Sequence, residues 1–157
     1  MFDIGTNIAY PMHGAGTILN IEEKEVLGEK RDYYFVNLPH SKMTVMIPVD
    51  NSEAVGVRPI IGPPEIPSVL DVLGAPSDPM PGNWNRRYRD NTEKLRTGDI
   101  YIVASVVRNL VRSDRTKKLS TGEKKLLGTA KQILESELML AVGITREEAD
   151  ELVESHI

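Results

Sequence analysis

The sequence predicts an α+β chain: a small β-barrel at the N-terminus, a proline-rich connector, and a helical bundle in the C-terminal half. Three observations predict it. Apolar side chains alternate with period two in residues 1–57, and they recur at three- and four-residue spacing beyond residue 83. Between these regimes, residues 58–67 carry four prolines. At 157 residues the chain is long enough for one ordinary domain or two small ones.

In chain order, Ile8-Ala9-Tyr10-Pro11 opens as a short strand and leads into the turn His13-Gly14-Ala15-Gly16. A long strand from Thr17 to Val26 follows, then a turn at Gly28-Glu29. Tyr33 to Leu38 and Met43 to Val49 supply two more strands, and Glu53 to Val57 is the last candidate. Alternation puts Val45, Ile47 and Val49 on one face and Thr44 and Met46 on the other. Leu19 and Ile21 likewise oppose Asn20, Glu22 and Lys24. Five short strands with no helix signal point to an SH3-like or Tudor-like barrel over residues 1–57. Residues 58–67 hold too many prolines for a strand interior or a helix, so they read as a stiff linker.

The helical part is expected over 68–157. A short helix from Ser68 to Leu73 runs into a second proline-rich loop, Pro76 to Gly82. Asn83 can cap a helix that ends before Gly98, and Asp99 can cap the next, whose Val103, Val106, Val107, Leu110 and Val111 form a buried stripe. Ser120-Thr121-Gly122-Glu123 reads as a capping box ahead of Leu126, Leu127, Ala130, Ile133, Leu134, Leu138 and Ala141 at helical spacing. Gly143 stops that helix. Thr145-Arg146-Glu147-Glu148 is a second capping box, opening a last helix that buries Ala149, Leu152 and Val153. The whole is a bundle of four or five helices.

Charge is segregated. Residues 86–131 contain 13 Lys and Arg against 5 Asp and Glu, while the rest of the chain contains 6 against 18. A net charge of −4 therefore conceals a basic block, which points to a polyanionic partner. No apolar run approaches the ~20 residues that span a bilayer, so no membrane association is expected. The N-terminal Met1-Phe2-Asp3-Ile4-Gly5 lacks the features of a secretory signal, and a cytoplasmic location is expected. The absence of cysteine removes disulfides, thiolate metal sites and cysteine nucleophiles together.

Within the basic block, Asn83-Trp84-Asn85-Arg86-Arg87-Tyr88-Arg89 places the only tryptophan at a helix start among three arginines and a tyrosine. Trp84, Tyr88 and Leu95 share one side of that helix, and Arg86 and Arg89 sit together on another. Two readings are open. Trp84 can anchor the bundle beneath solvated arginines, or it can stack on a base at the exposed first turn while the arginines hold phosphates. Lys124, Lys125 and Lys131, with Arg115, Lys117 and Lys118 in the preceding loop, can track a duplex backbone or simply be solubilising residues. Nothing supplies a base-reading code, so recognition would be of shape or strand junction.

Enzyme readings find little support. His13, His40 and His156 lie in a turn, a loop and the C-terminus without ligand spacing, so no metal site and no cofactor is expected. Gly122-Glu123-Lys124-Lys125 and Gly14-Ala15-Gly16 lack the remainder of any phosphate or dinucleotide motif. Glu22, Glu23 and Glu25 suit a soluble barrel edge better than a catalytic pair. No catalytic residue and no small-molecule substrate is expected.

Three motifs, in order, resemble the CarD-type bacterial transcription regulators, the CarD/CdnL group. Tyr10-Pro11-Met12-His13-Gly14-Ala15-Gly16 resembles the opening that their N-terminal domain shares with the polymerase-binding module of transcription-repair coupling factor. Asn83 to Arg89 with Glu93-Lys94-Leu95, and Leu119 to Lys124 with Ala130 to Leu134 and Glu137-Leu138, resemble the family's helical domain. The resemblance extends to about Ala141. It implies a regulator of transcription initiation that binds the RNA polymerase β subunit through its barrel and promoter DNA through its helices. It further implies that Trp84 is a minor-groove wedge at the upstream edge of the transcription bubble. By position Arg86 and Arg89 flank that wedge and Lys124 contacts the DNA backbone; Arg87, Lys125 and Lys131 of the basic block complete the expected DNA-binding set. On the barrel, Lys24 matches a basic polymerase-contacting position, and the other basic contact falls on Met46, a departure. The rival readings are a protein-only adaptor and an RNA-binding module.

Overall fold

A computed structural model describes all residues, 1–157. Five antiparallel strands form one sheet in the order β4-β3-β2-β1-β5: β1 Asn7–Tyr10, β2 Gly14–Val26, β3 Glu29–Leu38, β4 Met43–Pro48 and β5 Arg58–Pro59. The expected strand at Glu53–Val57 is instead a turn, and the edge strand is Arg58–Pro59, paired to Ala9 and Ile8. The proline-rich segment thus begins inside the sheet. Proline there costs nothing because β5 is an edge, where a missing N–H is tolerated.

A bulge between Ile18 and Asn20 resets the alternation of β2. Ile18 is buried and Leu19 is exposed, so the inward position assigned to Leu19 by strict alternation is corrected to outward. Ile8, Ile18, Tyr34, Val36, Leu38, Ile47 and Val57 close a small core. Beyond the bulge, β2 and β3 continue as an exposed ribbon to the tip Leu27-Gly28, where both residues have positive φ, 51° and 80°. Such a pair suits a two-residue hairpin between right-twisted strands.

Five helices follow: α1 Ile66–Gly74, α2 Trp84–Arg96, α3 Ile100–Thr116, α4 Thr121–Val142 and α5 Arg146–Ser155. Asp99 caps α3 by accepting from the amides of Tyr101 and Ile102, and Thr145 and Glu148 complete a reciprocal capping box on α5. At Ser120 only half of the box exists, because the Glu123 carboxylate turns away to another partner. Gly143, at φ 67°, ends α4 in the left-handed conformation that favours glycine. The core of 19 residues is built around α3, from which Val103, Ala104, Val106, Val107 and Leu110 are wholly buried. It continues into α1 through Val69 and Leu73, and into α4 through Leu126, Ala130, Leu134 and Leu138.

Candidate nucleic-acid interface

The N-terminus of α2 meets the N-terminus of α4. Asn83 caps α2 by accepting the amide of Arg86 at 3.0 Å, which sets Trp84 in the first turn. The indole stacks on Tyr88 one helical turn later, with centroids 5.8 Å apart and planes 15° from parallel. Its Nε1–H donates to Ser120 Oγ at 3.0 Å. Gly122 lies close enough that a Cβ there would stand 3.5 Å from Cζ2 of the indole. Trp84 nevertheless remains 45% exposed. It is a propped aromatic at the surface and not an anchor of the core.

The three arginines beside it separate by environment. Arg86 is 68% exposed and only grazes Asp90, at 4.0 Å, and Arg89 is exposed with no ion-pair partner. Arg87 turns inward. Its guanidinium donates to both Glu123 oxygens at 2.8 Å and to the carbonyls of Pro81 and Gly82. These bonds hold the Glu123 carboxyl below its ordinary value of 4.5, against the upward push of burial, and raise the Arg87 guanidinium. Arg87, expected among the DNA-binding residues, is thus already paired within the fold, where it straps α2 to α4. Lys131, also expected to bind DNA, is paired within the fold as well. Its ammonium donates to Asp150 at 2.6 Å and to Glu154 at 2.8 Å, and although burial alone would lower its pKa, these carboxylates hold it raised. Lys131 ties α4 to α5. Lys117 and Lys118 before α4 and Lys124 and Lys125 in its first turns are exposed and form no ion pair. Arg87, Lys117 and Lys118 border a polar cavity of about 500 Å³.

On the sheet, β3 pairs Phe35 with Met46 on one side and with Asn20 on the other. Lys24 reaches back along the same face, with Nζ 5.8 Å from the centre of the Phe35 ring. Lys24, Phe35 and Met46 thus share one exposed face, as the alternation of β4 and the distal part of β2 predicts.

One histidine does approach a carboxylate. His40 Nε2 lies 3.0 Å from Glu135 Oε1, beside a cavity of about 450 Å³ lined by Gly128, Lys131, Arg146, Glu147 and Asp150. The pair joins the β3–β4 turn of the sheet to α4.

Comparison with known proteins agrees with this architecture. The family model described as CarD-like/TRCF RID domain matches residues 2–61, and the model described as CarD, C-terminal domain, matches residues 68–154. The chain belongs to the CarD family. YdeB of Bacillus subtilis (strain 168), whose name assigns it provisionally to the transcription factors, is 42% identical over 148 residues, covering 94% of this chain and 97% of YdeB. A CarD-family transcription factor thus has a Tudor-like antiparallel sheet followed by a helical region, and its RID domain carries the family's polymerase-interacting role. No helix is long and apolar enough to cross a membrane.

Proposed function

We propose that this CarD-family protein stabilises the open promoter complex, holding the RNA polymerase β subunit through the face around Lys24 and Met46 and inserting Trp84 at the upstream edge of the bubble. The observation that carries this reading is the state of the indole. It is braced by Tyr88 and Ser120 yet 45% exposed, and the exposed cations Arg86, Arg89, Lys124 and Lys125 lie around the two helix starts that hold it. Two N-termini of helices that converge there add backbone N–H donors and a favourable field for phosphate. No reacting group is needed. Base stacking contributes about 1–3 kcal/mol, and if it is made only when the strands have parted it shifts that equilibrium by about 5- to 150-fold.

Non-specific DNA affinity near physiological salt is only about 10⁻⁴ to 10⁻⁶ M. Attachment to polymerase supplies the local concentration that makes so weak a grip effective. The polymerase contact is assigned to one sheet face because Lys24 and Met46 are exposed on β2 and β4, the two strands that flank β3 and its Phe35. Methionine at 46 replaces charge by a soft apolar surface, which suits a contact dominated by packing.

The test is Trp84→Ala in a promoter-complex lifetime assay. The expected result is a lifetime shortened by about 5-fold or more with polymerase affinity unchanged. An unchanged lifetime overturns the wedge and favours a protein-only adaptor, and preference for single-stranded RNA over forked DNA favours an RNA-binding module.

A further inference from the structure

Helix α4 carries three consecutive buried polar residues, Glu135, Ser136 and Glu137, and each holds a different part of the sheet domain. Glu137 is 2% exposed and accepts three hydrogen bonds from the sheet edge. Its Oε2 takes Arg58 Nη1 at 2.7 Å and the Ile61 amide at 2.9 Å, and its Oε1 takes Arg58 Nη2 at 2.9 Å. The remaining Arg58 donors go to the carbonyl of Gly98, just before α3, which takes Nε and Nη2, and to the carbonyl of Pro59, which takes Nη1. Ser136 Oγ accepts the Ala15 amide at 2.8 Å and donates to the Ile133 carbonyl. Glu135 meets His40 from the β3–β4 turn, whose carbonyl accepts from Arg146 of α5.

The approach is close as well as polar. Gly14 has φ 99°, and a Cβ on it would stand 2.7 Å from Ser136 Oγ, so both backbone conformation and contact require glycine there. Gln132 Nε2 adds a bond to the carbonyl of His13. Three strands or turns of the sheet domain are thus registered on one and a half turns of helix.

The other end of α4 holds the wedge. Ser120, which caps the helix, accepts the indole N–H, and Glu123 in its first turn anchors Arg87. From Ser120 to Glu137 a straight helix spans about 25 Å at ~1.5 Å per residue. One unbroken helix therefore joins the residues that brace Trp84 to the residues that grip the sheet. A flexible tether would leave the wedge to find the bubble by diffusion within the tether's reach, whereas a fixed joint removes that ordering cost beforehand.

We propose that Glu135, Ser136 and Glu137, with Arg58 as their principal partner, are positioning residues that make α4 a rigid ruler between the polymerase-binding face and Trp84. The proposal rests on the function proposed above. Its content is that fixed spacing, beyond the presence of both contacts, sets open-complex lifetime.

The chain lacks cysteine, so Lys30→Cys and Glu151→Cys, both on exposed residues outside the proposed DNA face, take a pair of spin labels that report the distance between sheet and bundle. In that background, full-length Ser136→Ala/Glu137→Gln is compared with the parent and with Trp84→Ala. Measured are thermal unfolding, the label-to-label distance distribution, affinity for polymerase, affinity for forked DNA alone, and open-complex lifetime. The expected result is a folded protein with both affinities within about twofold, a broadened distance distribution, and a lifetime shortened by about 5-fold or more. Should the double variant unfold, Arg58→Lys carries the same test, because lysine keeps the charge and loses the two-pronged grip on Glu137. A broadened distribution with parental lifetime overturns the ruler, and so does an unaltered distribution, since these residues would then not set the spacing. If Trp84→Ala also keeps the parental lifetime, the wedge reading itself has failed and the ruler falls with it. Loss of lifetime in Trp84→Ala but not in the loosened variant isolates the failure to the ruler.

Discussion

Two polar regions of this molecule, the seam between sheet and helices and the wedge face of the bundle, use the same residue types to opposite ends. At the seam Arg58, Glu137, Glu135 and Ser136 are bonded to named partners, and the three α4 residues are buried. On the wedge face Arg89, Lys124 and Lys125 are exposed with no ion-pair partner. Charge that has been satisfied within the fold stabilises an arrangement, and charge left unsatisfied at the surface is available to a partner. The wedge helix contains both kinds, with Arg87 strapped inward between the outward Arg86 and Tyr88.

The largest effect is expected from breaking the seam. Glu137→Ala strands a guanidinium and the Ile61 amide, and should cost about 3 kcal/mol in denaturant unfolding, the low end for a broken buried pair because Arg58 keeps some access to water. A loss under about 1 kcal/mol would place the seam with ordinary surface ion pairs. Next comes the strap. Arg87→Ala should cost about 2 kcal/mol, since its side chain is 21% exposed and Glu123 is buried beneath it. The pH dependence has a definite sign. Glu123 titrates lower in the folded protein than its ordinary 4.5, so its contribution is complete above that value and is lost as pH falls through the folded value. The stability gap between wild type and Arg87→Ala should therefore be constant at neutral pH and narrow below about pH 4.5; a gap that held steady in acid would assign Arg87 a packing role alone.

The architecture was largely legible because its signals are local: alternation in β4, the caps Asn83, Asp99 and Thr145, and the stop at Gly143 are each written within a few residues. Family motifs extended the reading to the proposed site, since Trp84 and Lys124 stand in stretches that resemble the family's helical domain. What local pattern could not reach was pairing across long separations. Arg87 with Glu123, Lys131 with Glu154, and Arg58 with Glu137 are 36, 23 and 79 residues apart, so each looked like a solvated charge or a linker residue. A trace of the seam was nonetheless present. Glu137 lies three residues beyond Leu134 and four beyond Ile133, on the stripe where an apolar side chain belongs, and a carboxylate there implies a cationic partner. The bulge at Leu19 shows the converse, a one-residue insertion that no alternation rule anticipates.

The hairpin tip offers a smaller effect of opposite sign. Leu27 is 99% exposed at φ 51°, a left-handed conformation that disfavours leucine, and nothing in the fold covers it. Leu27→Asn should raise stability by about 1 kcal/mol by relieving that conformation. Unchanged polymerase affinity would confine the effect to the backbone, whereas a fall in affinity would extend the binding face around Lys24 out to the tip.

The smallest expected change in stability is also the sharpest contrast with Arg87. Arg89→Ala removes a side chain with no ion-pair partner, so the unfolding free energy should stay within about 0.5 kcal/mol of wild type. Its effect belongs in the DNA titration. Each phosphate contact contributes roughly 0.9 to the slope of log affinity against log salt, so loss of Arg89 should flatten that slope by about 0.9 at every sequence tested. Arg87→Ala should do the reverse, lowering stability while leaving the slope near its wild-type value except through misplacement of Trp84. If the two variants changed the slope equally, inward and outward arginines would not differ in kind, and the distinction between paired and free charge would lose its functional meaning on this helix.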